Sequence, residues 1–110
     1  MIGKGVPEIQ PAELSAGAVL LDVREDDEWQ AGHAPDAVHV PMSELPARLP
    51  EVPTGRELAV VCRSGARSAR VTGWLRAQGY DAVNVAGGMQ SWVAGGRPMV
   101  SETGLPAVVL

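Results

Sequence analysis

A single cysteine, Cys62, is present among the 110 residues. One thiol cannot form an internal disulfide, and it cannot supply a metal site built from several cysteines of one chain. The two histidines, His33 and His39, have no cysteine at the spacing that a zinc site requires. We therefore expect no metal, and the role of one isolated thiol remains to be explained.

Long apolar segments and an excess of positive charge are also lacking. No run approaches the ~18 apolar residues of a membrane span, and the N-terminus lacks the apolar stretch of a signal peptide. Nine basic residues stand against 13 acidic ones, and this net charge of -4 argues against nucleic-acid binding as a primary role. The sequence is typical of a cytoplasmic protein that binds neither nucleic acid nor a membrane.

Length and hydrophobic patterning indicate one α/β domain. With 110 residues and 45% hydrophobic content, the chain has room for one domain with an ordinary core. Short Val-rich runs alternate with amphipathic segments, as strands alternate with crossover helices. Strands are predicted at residues 18–23, 37–40, 58–62 and 82–85, with an edge strand within 6–10, and helices at 25–31, 67–78 and 87–93. A capped helix is also predicted to begin at Ser43 and to include Leu49, with Pro46 in its first turn.

Cys62 falls at the carboxyl end of a predicted strand, which is the edge where open parallel sheets bind their ligands. The turn that follows, Ser64-Gly65-Ala66, leads directly into a helix, and such a turn forms a nest of inward-pointing N–H groups. An unperturbed thiol is only roughly 3% ionised at pH 7. We expect the nest and the helix dipole to lower the pKa of Cys62 and so to favour its thiolate.

The stretch after Cys62 is rich in positive charge. Four arginines and no acidic residue occur between positions 62 and 76, namely Arg63, Arg67, Arg70 and Arg76. Their field would favour the thiolate and attract a small anionic substrate. A lone cysteine at the end of an apolar strand is most often an inert small hydrophobe. The combination of strand, cysteine, glycine-bearing turn, arginines and helix favours a nucleophile instead.

Three motifs resemble those of one known family. The segment 62–68, Cys-Arg-Ser-Gly-Ala-Arg-Ser, is similar to the active-site loop of single-domain rhodaneses, or sulfurtransferases, in which six residues beginning with the cysteine wrap around its sulfur. Residues 21–25 with Glu28-Trp29 and 32–35 resemble the N-terminal signature, and residues 85–89 with Trp92 resemble the C-terminal one. Together they span about residues 18–98, and one departure is Asp36, where the family commonly has glycine in a structural turn.

The resemblance implies both a fold and an activity. The fold would be a rhodanese-like three-layer sandwich, with a central, mostly parallel sheet of about five strands flanked by helices. It would occupy residues 6–98, followed by a tail, 99–110, for which no conformation is predicted. The activity would be transfer of sulfane sulfur from an anionic donor such as thiosulfate to cyanide or a thiol, with a sulfur-relay protein as a further partner.

The resemblance also assigns roles to residues. Cys62 would be the catalytic nucleophile and would carry a covalent persulfide, with no other cofactor. The substrate-binding residues would be Arg63, Ser64, Gly65, Ala66, Arg67 and Ser68, in which the arginines hold the anionic donor and the backbone amides cradle its outer sulfur. Asp22, Arg24 and His33 would support the site structurally, since a preformed thiolate needs no general base.

Other activities use a similar cysteine loop. Cysteine phosphatases place five residues between the cysteine and the arginine, whereas four residues separate Cys62 from Arg67 here. The smaller ring suits a single sulfur atom better than a phosphate, so we rank phosphatase, and with it arsenate reduction, below sulfur transfer. A persulfide carrier that is loaded by a partner protein remains the alternative, because it would use the same loop.

Overall fold

The structure is a computed structural model that describes residues 5–110, and its strands and helices alternate along the chain. The strands are β1 (Glu8–Ile9), β2 (Val19–Asp22), β3 (Val38–His39), β4 (Leu58–Val61) and β5 (Ala82–Val85). The helices are α1 (Asp26–Ala31), α2 (Ala66–Ala77) and α3 (Gly88–Ala94), with 3-10 turns at Pro11–Glu13, Met42–Glu44 and Leu49–Glu51. The edge strand predicted within residues 6–10 is found at β1.

All five strands form one sheet in the order β1-β5-β4-β2-β3, and every neighbouring pair is parallel. This confirms the predicted α/β fold with its parallel sheet. The central strand β4 is fully buried, and its side chains alternate between two cores. Leu58 and Val60 pack with Leu75 of α2, whereas Ala59 and Val61 pack with Trp92 of α3. Helices therefore cover both faces of the sheet, as parallel strands require.

The helix predicted from Ser43 is wrong. The chain forms two separate 3-10 turns there, Met42–Glu44 and Leu49–Glu51. The Ser43 hydroxyl donates to the Glu25 carboxylate instead of capping a helix. Because the turn begins at Met42, Pro46 lies four residues later, where it has no N–H to donate to the Met42 carbonyl; the Leu45 N–H donates to that carbonyl instead. No helix within residues 5–110 has the length and apolar character to cross a bilayer.

The tail, residues 99–110, packs against the domain. Val100 and His33 exchange two backbone hydrogen bonds, 2.8 and 2.9 Å long, and the Val108 N–H donates to the Ala31 carbonyl. Gly32 lies beneath this segment, and a Cβ atom there would lie 2.5 Å from the Val108 oxygen. Since Gly32 has an extended backbone (φ 173°), it is the close approach of the tail that requires glycine.

Candidate active site

Cys62 follows β4 directly, at the carboxyl edge of the sheet. Cys62 is 1% exposed and belongs to the core that contains Val60. The chain then turns through Gly65, whose φ of 105° lies in the left-handed region that favours glycine, and enters α2 at Ala66. The predicted strand, turn and helix around the cysteine are therefore present, and the start of α2 lies beside the sulfur.

The sulfur of Cys62 faces hydrogen-bond donors. The Gly65 N–H donates to Sγ at 3.1 Å and the Ser68 N–H at 3.4 Å, and the Ser68 hydroxyl oxygen lies 3.3 Å from Sγ. Burial by itself raises the pKa of the thiol, but the hydrogen bonds that the thiolate can accept from the Ser68 hydroxyl and from the Ser68, Gly65 and Ser64 amides outweigh it. The pKa of Cys62 is consequently lowered, which favours the thiolate.

The first turn of α3 holds the carbonyl groups of the loop. The Met89 N–H donates to the Cys62 carbonyl at 2.8 Å, and the Gln90 N–H donates to the Arg63 carbonyl at 3.0 Å. Gly88 makes this approach possible, because a Cβ atom there would lie 2.4 Å from the Cys62 oxygen. With the carbonyls bound on the α3 side, the loop amides are free to face the sulfur.

Arg67 is paired with an acidic residue that the sequence reasoning did not select as part of the site. Its Nη1 and Nη2 donate to the two carboxylate oxygens of Glu28 on α1, each at 2.8 Å. This bidentate pair lowers the pKa of Glu28 and raises that of Arg67, to which Cys62 adds a smaller electrostatic contribution. The positive field expected from Arg67 is therefore partly compensated by Glu28.

Arg63, Ser64 and Ala66 are exposed at the rim of the loop. Arg63 Nε donates to the backbone oxygen of Leu110 at 2.6 Å, so the tail reaches the rim. With the Gln90 amide turned so that its oxygen faces Arg63, that oxygen accepts from Nη1 and Nη2 at 3.2 and 3.3 Å. The structure thus places the Arg63 guanidinium between the tail and α3.

The three predicted support residues lie at the end of β2 and just after α1. Asp22 and Arg24 form a fully buried ion pair, with Arg24 Nη2 2.7 Å from Asp22 Oδ2. The same Nη2 donates to the Gly32 carbonyl at 2.7 Å, which ties the end of α1 to β2. His33 stacks on Trp29, with ring centroids 3.5 Å apart, and its Nε2 lies 2.7 Å from a carboxylate oxygen of Glu102 in the tail. In the structure of residues 5–110, none of these three side chains hydrogen-bonds to the Cys62 sulfur.

Comparisons with known proteins identify the family. The pattern of the rhodanese-like domain matches residues 8–95. The protein belongs to this family. A putative sulfurtransferase of Bacillus subtilis, YtwF, is 42% identical over 79 residues, which cover 72% of this chain and 77% of that protein. A sulfurtransferase of Allochromatium vinosum is 40% identical over 87 residues, covering 78% and 81%. The crystal structure of a rhodanese-related protein from Thermoplasma volcanium has 34% identity and a TM-score of 0.81, covering 86% of this chain and 97% of that one.

One further residue of this rhodanese-like site was missed by the sequence reasoning. Asn84, fully buried on β5, accepts from the Ser68 hydroxyl at 2.6 Å. Its Nδ2 donates to the Gly65 carbonyl at 3.2 Å and to a Glu8 carboxylate oxygen at 2.9 Å. The available signal was a polar residue within an apolar strand, because a buried amide needs partners.

Replacing Ser68 with alanine is expected to raise the pKa of the Cys62 thiol. The variant loses the hydroxyl but keeps the Ser68 and Gly65 N–H groups, so the thiolate is destabilised only in part. The pH profile of Cys62 alkylation should move to higher pH, with alkylation on its acidic side slowed roughly twofold to tenfold. The control is Ser15→Ala, an exposed serine outside the loop. A profile that does not move would mean that the hydroxyl does not stabilise the thiolate.

Proposed function

We propose that this rhodanese-like protein is a sulfurtransferase that takes sulfane sulfur from an anionic donor such as thiosulfate and passes it to cyanide or a thiol. The observation that carries the proposal is the sulfur of Cys62, buried at the carboxyl edge of the sheet with the N–H groups of Gly65 and Ser68 directed at it. Relatives named sulfurtransferases support the reaction class. The donor and the acceptor are part of the proposal.

The reaction proceeds in two displacement steps at sulfur. The Cys62 thiolate attacks the outer sulfur of thiosulfate and forms a new S–S bond, while the original S–S bond breaks and its electron pair leaves with sulfite. The acceptor then attacks the terminal sulfur of the persulfide, and the electron pair of that bond returns to Cys62 as thiolate. The cycle uses no outside oxidant or reductant, and the persulfide is its only covalent intermediate.

The other loop residues would bind the anionic donor and stabilise its outer sulfur. The backbone amides of Ser64 through Ser68 would stabilise the outer sulfur, in the way that an oxyanion hole stabilises developing charge. Arg63 at the rim and Arg67 in the first turn of α2 would attract the anion, although the Arg67 guanidinium is also paired with Glu28. A donor oxygen would therefore have to compete with, or add to, the present partners of these arginines.

Two other functions use the same loop. A persulfide carrier in a sulfur relay would be loaded by a partner protein and would not turn over thiosulfate. A phosphatase or arsenate reductase is disfavoured because four residues, and not five, separate Cys62 from Arg67.

The cytoplasmic location stays a prediction from the sequence.

A thiosulfate:cyanide transfer assay, run beside a phosphate-ester assay, tests the proposed function. We expect thiocyanate to form and the phosphate ester to persist. Incubation with thiosulfate alone should add the mass of one sulfur atom to the peptide that contains Cys62. Loading by a protein persulfide without any loading by thiosulfate would favour the carrier, and sulfur found on another peptide would refute the assigned site.

A further inference from the structure

The Ser68 hydroxyl has two neighbours to which it could donate but only one hydrogen. Its Oγ lies 2.6 Å from Asn84 Oδ1 and 3.3 Å from Cys62 Sγ. Ser68 and Asn84 are fully buried and Cys62 is 1% exposed. Since a hydroxyl donates a single hydrogen bond, the two contacts are alternatives for the same proton.

The Asn84 amide determines which alternative the structure shows. Its Nδ2 faces a carboxylate oxygen of Glu8 at 2.9 Å and the Gly65 carbonyl at 3.2 Å, and both partners are acceptors. The end of the amide near Ser68 is therefore the oxygen, which cannot donate. Ser68 must be the donor in the 2.6 Å contact, so its hydroxyl presents a lone pair to the Cys62 sulfur. A lone pair suits a protonated thiol and repels a thiolate.

We infer that Asn84 is a positioning residue whose amide oxygen accepts the hydrogen bond of the Ser68 hydroxyl while Cys62 is a thiol. When Cys62 ionises, the hydroxyl keeps its hydrogen but turns and donates to the sulfur instead. Ionisation then requires the hydroxyl to rotate and to give up its bond to Asn84. Asn84 thus competes with the thiolate for the hydrogen bond that the Ser68 hydroxyl donates. Its bond to the Gly65 carbonyl alone would indicate only a structural role. The inference rests on the proposed function only for its consequence in turnover, because the rotation can be measured on Cys62 itself.

The charged groups near this trio come from four elements. Glu8 of β1 contacts Asn84, Arg63 lies on the loop, and Arg67 of α2 is paired with Glu28 of α1. Ser68→Ala changes none of the contacts of these four groups, whereas Asn84→Leu removes the Glu8 contact. The effect of the Glu8 charge is tested separately with Glu8→Gln, whose amide oxygen can still accept from Asn84 Nδ2 and which should leave the alkylation profile of Cys62 where it is.

The test is Asn84→Leu in the full chain, an apolar replacement of similar size. The Gly65 carbonyl keeps its bond from the Ala69 N–H at 3.0 Å, so the substitution does not leave it unpaired. The rate of Cys62 alkylation by iodoacetamide is measured across pH and divided by its maximum at high pH, which removes differences in access. We expect the profile to move to lower pH, with alkylation on its acidic side roughly threefold faster than in the wild type.

A double-mutant comparison shows whether Asn84 acts through the Ser68 hydroxyl or only stabilises the structure of the loop. In a Ser68→Ala background the hydroxyl is absent, so Asn84→Leu should no longer move the profile. A move of the single variant to higher pH, or a move that persists without the hydroxyl, would overturn the inference. Thermal unfolding checks each variant, and Asn84→Ala replaces Asn84→Leu if the latter does not fold. If the variants follow this pattern but the wild-type protein takes no sulfur from thiosulfate, the proposed function is contradicted and the inference stands.

Discussion

Cys62→Ser is expected to abolish sulfur transfer, with turnover lower by about three orders of magnitude or more. A serine hydroxyl is hardly ionised at neutral pH, and within residues 5–110 no side-chain base is bonded to the Cys62 sulfur that could activate it. Thiosulfate should therefore add no sulfur to the variant. The measurement is the thiosulfate:cyanide assay together with the mass of the protein after incubation with thiosulfate.

The same substitution should leave the fold in place. A serine oxygen fits where the sulfur lies and can accept from the Gly65 and Ser68 N–H groups, so the free energy of unfolding should change by about 1 kcal/mol. Thermal unfolding of Cys62→Ser serves as the control that inactivity does not arise from misfolding. Cys62→Ala provides a second inactive variant in which no hydroxyl is present. Turnover retained by a folded variant would contradict the assignment of Cys62 as nucleophile.

The local unit around the cysteine could be predicted from sequence because its signals are local. An apolar run predicts β4, a glycine in a tight turn predicts the left-handed residue at Gly65, and the following amphipathic stretch predicts α2. Parallel strands place their carboxyl ends on one edge of the sheet, so the sequence also predicts that Cys62 lies at that edge. The structure adds the directions of the amide groups, which depend on the α3 turn at Gly88.

The pairings between distant side chains could not be predicted. Glu28 and Arg67 are 39 positions apart, and the helix dipole is by itself a sufficient reason for an acidic first turn in α1, so the sequence gives no sign that Glu28 has a partner. Asn84 and Ser68 come from different elements as well. A single sequence shows which residue types are present but not which of them meet across a sheet. The tail had no periodic pattern at all, and its position depends on the small size of Gly32.

Breaking the buried ion pair between Asp22 and Arg24 is expected to give the largest loss of stability. Asp22→Ala leaves the Arg24 guanidinium without its counter-ion in a site where both side chains are fully inaccessible. Removing one partner of a buried pair costs about 3–5 kcal/mol, because the remaining charge is neither hydrated nor neutralised. Chemical denaturation should show this loss as a lower midpoint with an unchanged slope. The matched control is Glu51→Ala, which breaks the exposed pair with Arg48 and should have little effect.

A double variant tests whether the cost comes from the isolated charge. Asp22→Leu combined with Arg24→Leu removes both charges and should be more stable than Asp22→Ala. It should not recover the wild-type value, because Arg24 also donates to the Gly32 and Glu28 carbonyls, and these would lose a buried donor. Those two bonds hold α1, which carries the partner of Arg67, so the double variant should also use thiosulfate less well. If the double variant loses as much unfolding free energy as the two single variants lose together, the pair contributes through packing alone and its charges play no part.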